Sequence, residues 1–233
     1  MCSSDLIANL SPGLDDEIRV PVFADADDYV FPTSIATNDS QVAVAITTRA
    51  PAQRLDGGMF DAPLGRDSPA VQLFEATGGS GTTLDPVAFH GFVGVGELTR
   101  IEAVDLESTG ALHVVIATDD AAALRIDGEQ TDLVLDAASL HVGFDTEGTR
   151  DALGSLGTGI LHVGGLAILD VGQTLLLSGV TREGGGEVAG MPITGPFLAE
   201  LALVGSAEAP RWVFPLGDAT AATVPGLRVE SRE

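Results

Sequence analysis

Apolar residues along this chain come in short runs separated by small polar clusters. Val42-Ala43-Val44-Ala45-Ile46 and Leu175-Leu176-Leu177 are continuously apolar, the pattern of strands covered on both faces. Apolar positions at i, i+3 and i+4 are nowhere sustained over a helical window, and Gly or Pro interrupts most stretches, so no helix is predicted. Two β-rich runs joined by a short polar turn predict a hairpin, and three occur. They are 34–37 with 41–48 around Asn38-Asp39-Ser40, 101–105 with 111–118 around Glu107-Ser108-Thr109-Gly110, and 165–169 with 174–181 around Asp170-Val171-Gly172. A third run follows each hairpin (70–76, 139–142, 197–201), then a Gly-rich or acidic turn, then a fourth run (84–90, 150–156, 211–216).

The runs repeat. Leu6-Ile7-Ala8-Asn9-Leu10 leading to Arg19-Val20-Pro21-Val22-Phe23 returns as Phe197-Leu198-Ala199-Glu200-Leu201 leading to Arg211-Trp212-Val213-Phe214. Three periods of about 64 residues separate Leu10 from Leu201. A short element ahead of each third run fixes the register: Arg54-Leu55-Asp56-Gly57, Arg125-Ile126-Asp127-Gly128 and Glu187-Val188-Ala189-Gly190. Its Gly is expected at a positive φ or a close backbone approach. Four short strands per unit predict an all-β, β-propeller-like array of four-stranded blades, an incomplete ring or arc. The expected boundaries are a partial blade at 7–25, blades at 26–91, 92–157 and 158–218, and the start of a further blade at 219–233, with its first strand at 224–230. A β-solenoid is the second choice, and it needs shorter coils than this period. Pro21, Pro86, Pro210 and Pro215 fall in or beside fourth strands, which suits edges.

The third unit carries a recognisable pattern: Gly165-Leu166-Ala167-Ile168-Leu169-Asp170, Leu175-Leu176-Leu177-Ser178-Gly179, Val188-Ala189-Gly190, Phe197-Leu198-Ala199-Glu200-Leu201 and Trp212-Val213-Phe214-Pro215-Leu216-Gly217-Asp218. This succession is similar to the SBBP-type bacterial β-propeller repeat. The first unit carries part of it, and the second lacks the Trp and the Phe-Leu-Ala-Glu-Leu core. The shared motifs are packing and turn residues. The resemblance therefore implies the fold and an extracellular or cell-surface location, with no catalytic residues to carry over. Trp212, the only tryptophan, stands at a packing position of the repeat and is expected to be mostly buried between units.

Charge narrows the partners. The net charge of −23 comes from 34 acidic residues against 11 basic ones, all Arg. Phosphate contacts need a basic surface, so nucleic acid is excluded as a partner, and attraction to anionic lipid is disfavoured. No run of apolar residues is long enough to span a bilayer, so no membrane insertion is expected. Residues 1–6, Met1-Cys2-Ser3-Ser4-Asp5-Leu6, read as the translation, from a GTG start, of the end of a widely used sequencing adapter. They are taken as a non-native leader, with the export signal expected upstream. Without Cys2 there is no thiol for disulfides or thiolate metal sites.

Local chemical motifs are few. His90, His113, His141 and His162 lack metal-ligand spacing. Asp25, Asp27 and Asp28 offer oxygens for a hard cation, as does Asp145-Thr146-Glu147-Gly148, but neither has the spacing of a calcium loop; no cofactor is expected, and calcium is the nearest candidate. Gly94-Val95-Gly96, Gly157 with Gly159, and Ser80 in Gly78-Gly79-Ser80-Gly81 open no helix, so they read as turns rather than phosphate loops or a nucleophile elbow. The connection 49–69 is longer than its counterparts and holds Arg54, Met59, Phe60 and Arg66. Extra loop length on a repeat scaffold often marks a binding face, and these four form the candidate binding loop. The expected function is a non-enzymatic, exported or surface scaffold that binds a protein or glycan. The alternative is a propeller-fold hydrolase or lyase acting on polysaccharide at a central channel.

Overall fold

A computed structural model of the chain describes residues 6–8, 18–20, 23–25, 31–77, 83–169, 174–204 and 207–217. Among these residues there is no helix; the chain is all-β and its sheets are antiparallel. Three short strands come first. β1 (Leu6–Ala8) pairs with β2 (Ile18–Val20), and β3 (Phe23–Asp25) follows. Unit I comprises β4 (Phe31–Thr37), β5 (Gln41–Thr48), an inserted hairpin β6 (Ala52–Arg54) and β7 (Met59–Phe60), then β8 (Ser68–Thr77) and β9 (Thr83–Val93). Unit II repeats the order with β10 (Thr99–Leu106), β11 (Leu112–Thr118), the hairpin β12 (Arg125–Ile126) and β13 (Glu129–Gln130), β14 (Ala138–Phe144) and β15 (Arg150–Thr158). Unit III has β16 (Ile160–Leu169), β17 (Thr174–Thr181), the hairpin β18 (Gly186–Val188) and β19 (Met191–Ile193), β20 (Pro196–Val204) and β21 (Ala207–Pro215).

Within each unit the four long strands pair in sequence order, as a meander. Turn chemistry sets the ends. At β4–β5 the Asn38 side-chain oxygen accepts the N–H groups of Ser40 and Gln41 at 2.9 and 2.8 Å, a side-chain-capped turn that starts β5 at Gln41. Pro86 and Pro210 lie in fourth strands. Each sits where its strand is hydrogen-bonded only on the side of the third strand, so the missing N–H interrupts no ladder.

The inserted hairpins join one unit to another. β12 pairs with β9 of unit I, placing Ile126 opposite Phe92, and β18 pairs with β15 of unit II, placing Val188 opposite Gly157. β6 in turn pairs with β3. Tight two-residue turns close the second and third hairpins, with Asp127 at φ 53 and Gly128 at φ 87, and Ala189 at φ 47 and Gly190 at φ 78. The register glycines thus occupy the positive φ expected of them, Gly57 included at φ 85.

Both faces of the unit II sheet are packed at its two central strands. All seven residues of β11 are buried, and so are all seven of β14. One cluster fills the space between units I and II, with Ala45, Val71 and Phe92 against Val114, Leu140 and Phe144; another joins units II and III, with Val115 and Leu156 against Val163, Leu177 and Phe197. Fully burying one such Phe or Leu is worth about 1.5–3 kcal/mol. The first strands stand side by side, β10 touching both β4 and β16.

Candidate binding site

The 49–69 connection is not the extra-long loop expected: residues 49–67 link β5 to β8 just as residues 119–137 link β11 to β14, because each holds an inserted hairpin, and only the unit III link, 182–195, is shorter. Its four candidate residues also separate. Arg54, Met59 and Phe60 line one cavity of about 260 Å³, together with Asp61, Phe89 of β9 and Asp127 of the next unit's hairpin. Arg66 lies elsewhere, its guanidinium donating to the carbonyl of Val95.

Local contacts build this cavity from the hairpin outward. The Asp56 carboxylate accepts the Gly58 N–H at 2.9 Å and takes Arg54 through two bonds, from Nε at 2.9 Å and Nη2 at 2.5 Å. Burial pushes the Asp56 carboxyl up, but the bonds from Arg54 and Gly58 and the Arg54 charge outweigh it and hold the group below the ordinary Asp value. Held in this way, the guanidinium lies 4.8 Å from the centre of the Phe89 ring, within cation–π range. Phe60 meets Phe89 edge-on at 5.3 Å. The Phe60 ring rests on the backbone of Gly91, where a Cβ would fall 2.4 Å from Cε2, so only glycine admits this packing. Met59, 64% exposed, and Asp61 form the open side.

The far wall belongs to Asp127. Its backbone N–H donates to Gly91 O at 2.8 Å, its Oδ1 accepts the Gly91 N–H at 2.7 Å, and its Oδ2 accepts Nδ1–H of His90 at 2.9 Å. His90 is stacked on Phe144 of unit II, ring centres 3.7 Å apart.

A second cavity, of about 580 Å³, opens at the corresponding place on unit III, between the β18–β19 hairpin (Met191, Pro192) and the end of β21 (Val213, Pro215, Gly217). Units I and III thus each carry a cavity between the inserted hairpin and the fourth strand.

Polar clusters elsewhere are internal or between units. His113 and His141 stack with Nδ1 to Nε2 at 2.9 Å, and the His113 Nε2–H donates to Glu107 at 2.8 Å. Burial first, and the His141 charge second, push the His113 imidazole below its usual value, against Glu107 and Asp151. Buried Glu102 on β10 accepts the Val163 N–H of β16 at 3.0 Å and pairs with both His162 and Arg100. Asp105 accepts the Ile168 N–H at 2.8 Å, and burial raises its pKa. Among the described residues no group of three or more His, Cys, Asp or Glu side chains could hold a metal ion.

The remaining motifs resolve as follows. The Asp145 carboxylate is occupied by the N–H groups of Glu147 and Thr149, at 2.9 and 2.8 Å. After Gly94-Val95-Gly96, the Asp119 carboxylate accepts the N–H groups of Glu97 and Leu98 at 2.8 and 3.1 Å. At Gly157 a Cβ would lie 1.9 Å from Glu187 O, so this glycine is where the third hairpin crosses β15. Asp27, Asp28, Ser80 and the segment 219–233 lie outside the described residues, as does the Asp25 side chain. Trp212 departs from expectation: it is 38% exposed, its Nε1–H donating to Glu200 at 2.6 Å, because its face of unit III has no described neighbour.

Sequence reading did not anticipate that Asp127 completes the cavity. The parallel between Arg54-Leu55-Asp56-Gly57 and Arg125-Ile126-Asp127-Gly128 was the available signal, but it marks a turn and says nothing of the strand that the turn is joined to. Among the described residues no helix is long and apolar enough to cross a membrane. No protein-family model matches the chain, and neither does any curated protein.

Proposed function

We propose that the chain is a non-enzymatic binding scaffold, an arc of β-propeller blades akin to the SBBP-type repeat that works outside the cell or at its surface. It takes a neutral glycan at the cavity lined by Arg54, Met59, Phe60, Phe89 and Asp127, the margin cavity of unit I. The observation that carries this reading is the composition of that cavity. Arg54, Asp61 and Asp127 present charged donors and acceptors to hydroxyl groups beside the apolar surfaces of Met59, Phe60 and Phe89. A cavity of about 260 Å³ suits one sugar ring better than a folded protein surface, and the net charge of −23 repels anionic polysaccharides. The three units support the propeller reading, each a four-stranded meander with first strands side by side.

The test is retardation of the native chain in gels cast with soluble neutral polysaccharides: starch, laminarin, galactomannan and xyloglucan. Retardation by at least one, lost in Asp61→Ala and Phe89→Ala proteins that melt like the parent, supports the reading. Equal mobility in every gel removes it.

A second reading, a polysaccharide-active enzyme, draws on one observation. His162 is 43% exposed, lies on a first strand, and is paired to the buried carboxylate of Glu102, an arrangement in which a carboxylate orients an imidazole for proton transfer.

A further inference from the structure

The far face of unit III, the side turned away from unit II, is matched position by position with faces that are buried elsewhere in the molecule. Strand register makes the match. Ala45, Val71 and His90 lie opposite one another across β5, β8 and β9; Val115, His141 and Gly154 do so in unit II; Ser178, Leu198 and Phe214 do so in unit III. In unit I this row is covered by unit II, where His90, 4% exposed, stacks on Phe144. Phe214 holds the His90 position and is 60% exposed; Leu198 is half-buried and Ser178 buried, so the open part of the row is its β21 end. The neighbouring row ends in Trp212, where unit I has Ala88.

The outer edge tells the same story. Phe92 with Val93, and Gly157 with Thr158, are the residues that receive the next unit's hairpin. Register places Leu216 and Gly217 there in unit III, since Pro215 faces Phe197 as Gly91 faces Ala70. Among the described residues no strand lies against that edge. In unit I the next hairpin, through Asp127 and Gly128, walls the margin cavity; in unit III the same cavity measures about 580 Å³ against about 260 Å³.

We infer that the far face of unit III, with the end of β21, is the docking surface for a further four-stranded unit of this repeat, continuing the stack in the same direction. Two stackings within the chain define the occupant. Its near face is aliphatic and aromatic, as Leu140, Val142 and Phe144 are in unit II and Phe197, Ala199 and Leu201 in unit III, and its inserted hairpin pairs with Leu216 and Gly217. The chemistry suits coverage: the Trp212 N–H already has Glu200 as its acceptor, and Glu200 is paired with Arg211 at 3.0 Å, so closing the face leaves both the indole N–H and the Glu200 carboxylate partnered.

Trp212 is the reporter, because it is the only tryptophan. A copy of residues 94–158, which contains none, is joined after Gly217, the position equivalent to Val93. A parallel extension uses residues 159–217 with Trp212→Phe in the added copy. In at least one extended chain, acrylamide quenching of Trp212 falls several-fold relative to the full chain and its emission moves to the blue. Phe214→Glu reverses both changes there, yet leaves the melting temperature of the full chain unchanged. Unchanged quenching in both extended chains, whether or not the added strands fold, overturns the inference. So does a concentration-dependent dimer of the full chain that itself protects Trp212 and is abolished by Phe214→Glu, since the occupant is then a second copy.

Discussion

The carboxylate of Asp127 accepts the backbone N–H of Gly91 at 2.7 Å, although the two residues belong to different four-stranded units. With its other oxygen on His90 and its own N–H on Gly91 O, Asp127 ties the second hairpin to the first unit through three bonds. Its left-handed backbone, φ 53, is tolerated by Asp and Asn because their short polar side chains bond locally. Asp127→Ala keeps the strained φ and loses two bonds, one to a buried imidazole, and should cost about 2–3 kcal/mol in urea unfolding. Asp127→Asn retains both the φ tolerance and an acceptor for Gly91, and should cost under about 1 kcal/mol. At the matching position Ala189→Gly should stabilise by up to about 1 kcal/mol by relieving φ 47. Equal losses in the two Asp127 variants would show that the φ tolerance and the Gly91 bond kept by Asn contribute nothing.

Stability should depend on pH with two opposed contributions. The folded pKa of His113 lies below 6.5 through burial and the His141 charge, so the unfolded chain binds the proton first. Its contribution is complete above the unfolded value and is lost as pH falls toward the folded one. Asp105 behaves in the opposite sense. Its folded pKa is raised above 3.8, chiefly by burial, so it favours the fold below the unfolded value and loses that contribution as pH rises through the folded one. Asp105→Asn, which keeps an oxygen for Ile168 N–H, should therefore stabilise the protein at neutral pH, with the gain shrinking in acid. His113→Gln should flatten the loss of stability between about pH 7 and pH 5. Urea midpoints at stepped pH check both, and a His113→Gln profile parallel to that of the parent would refute the assignment.

Glu102 bridges the first strands of units II and III. Removing its carboxylate in Glu102→Ala leaves the Val163 N–H without its acceptor, while Arg100 and His162, each about two-fifths exposed, regain water. The expected loss is therefore about 1–3 kcal/mol, less than for a fully buried pair. Glu102→Gln keeps an oxygen for Val163 and should lose less than half of that. A thermal melt of each variant decides, and no loss in Glu102→Ala would mean that the bridge adds nothing to the stacking of the two units.

Legibility in the sequence followed locality. β5 and β17 match the expected 41–48 and 174–181 to the residue, because a continuous apolar run ends at turn residues on both sides. β9 and β15 run on to Val93 and Thr158, beyond 90 and 156, because their last residues pair with a hairpin from the next unit, which no local window records. β16 starts at Ile160 rather than 165, since Gly164-Gly165 interrupts the apolar pattern while a bulge carries the ladder across it. The inserted hairpins are two or three residues to a strand, too short for periodicity, and only their glycines announced them. At the candidate site, Arg54, Met59 and Phe60 are neighbours in sequence and in space, whereas Phe89 and Asp127 come from elsewhere in the chain. Trp212 stands at a packing position of the repeat, but 38% of its surface is exposed, because a sequence pattern records the position and not the neighbour that would cover it.

The central claim, binding without turnover at the margin cavity, is tested most directly by incubating the native chain with each neutral polysaccharide that retards it and counting new reducing ends. The account predicts no increase over the polysaccharide alone, with binding lost in Asp61→Ala. Reducing ends that accumulate with the parent chain and vanish in His162→Ala would contradict it and move the site to the Glu102–His162 pair.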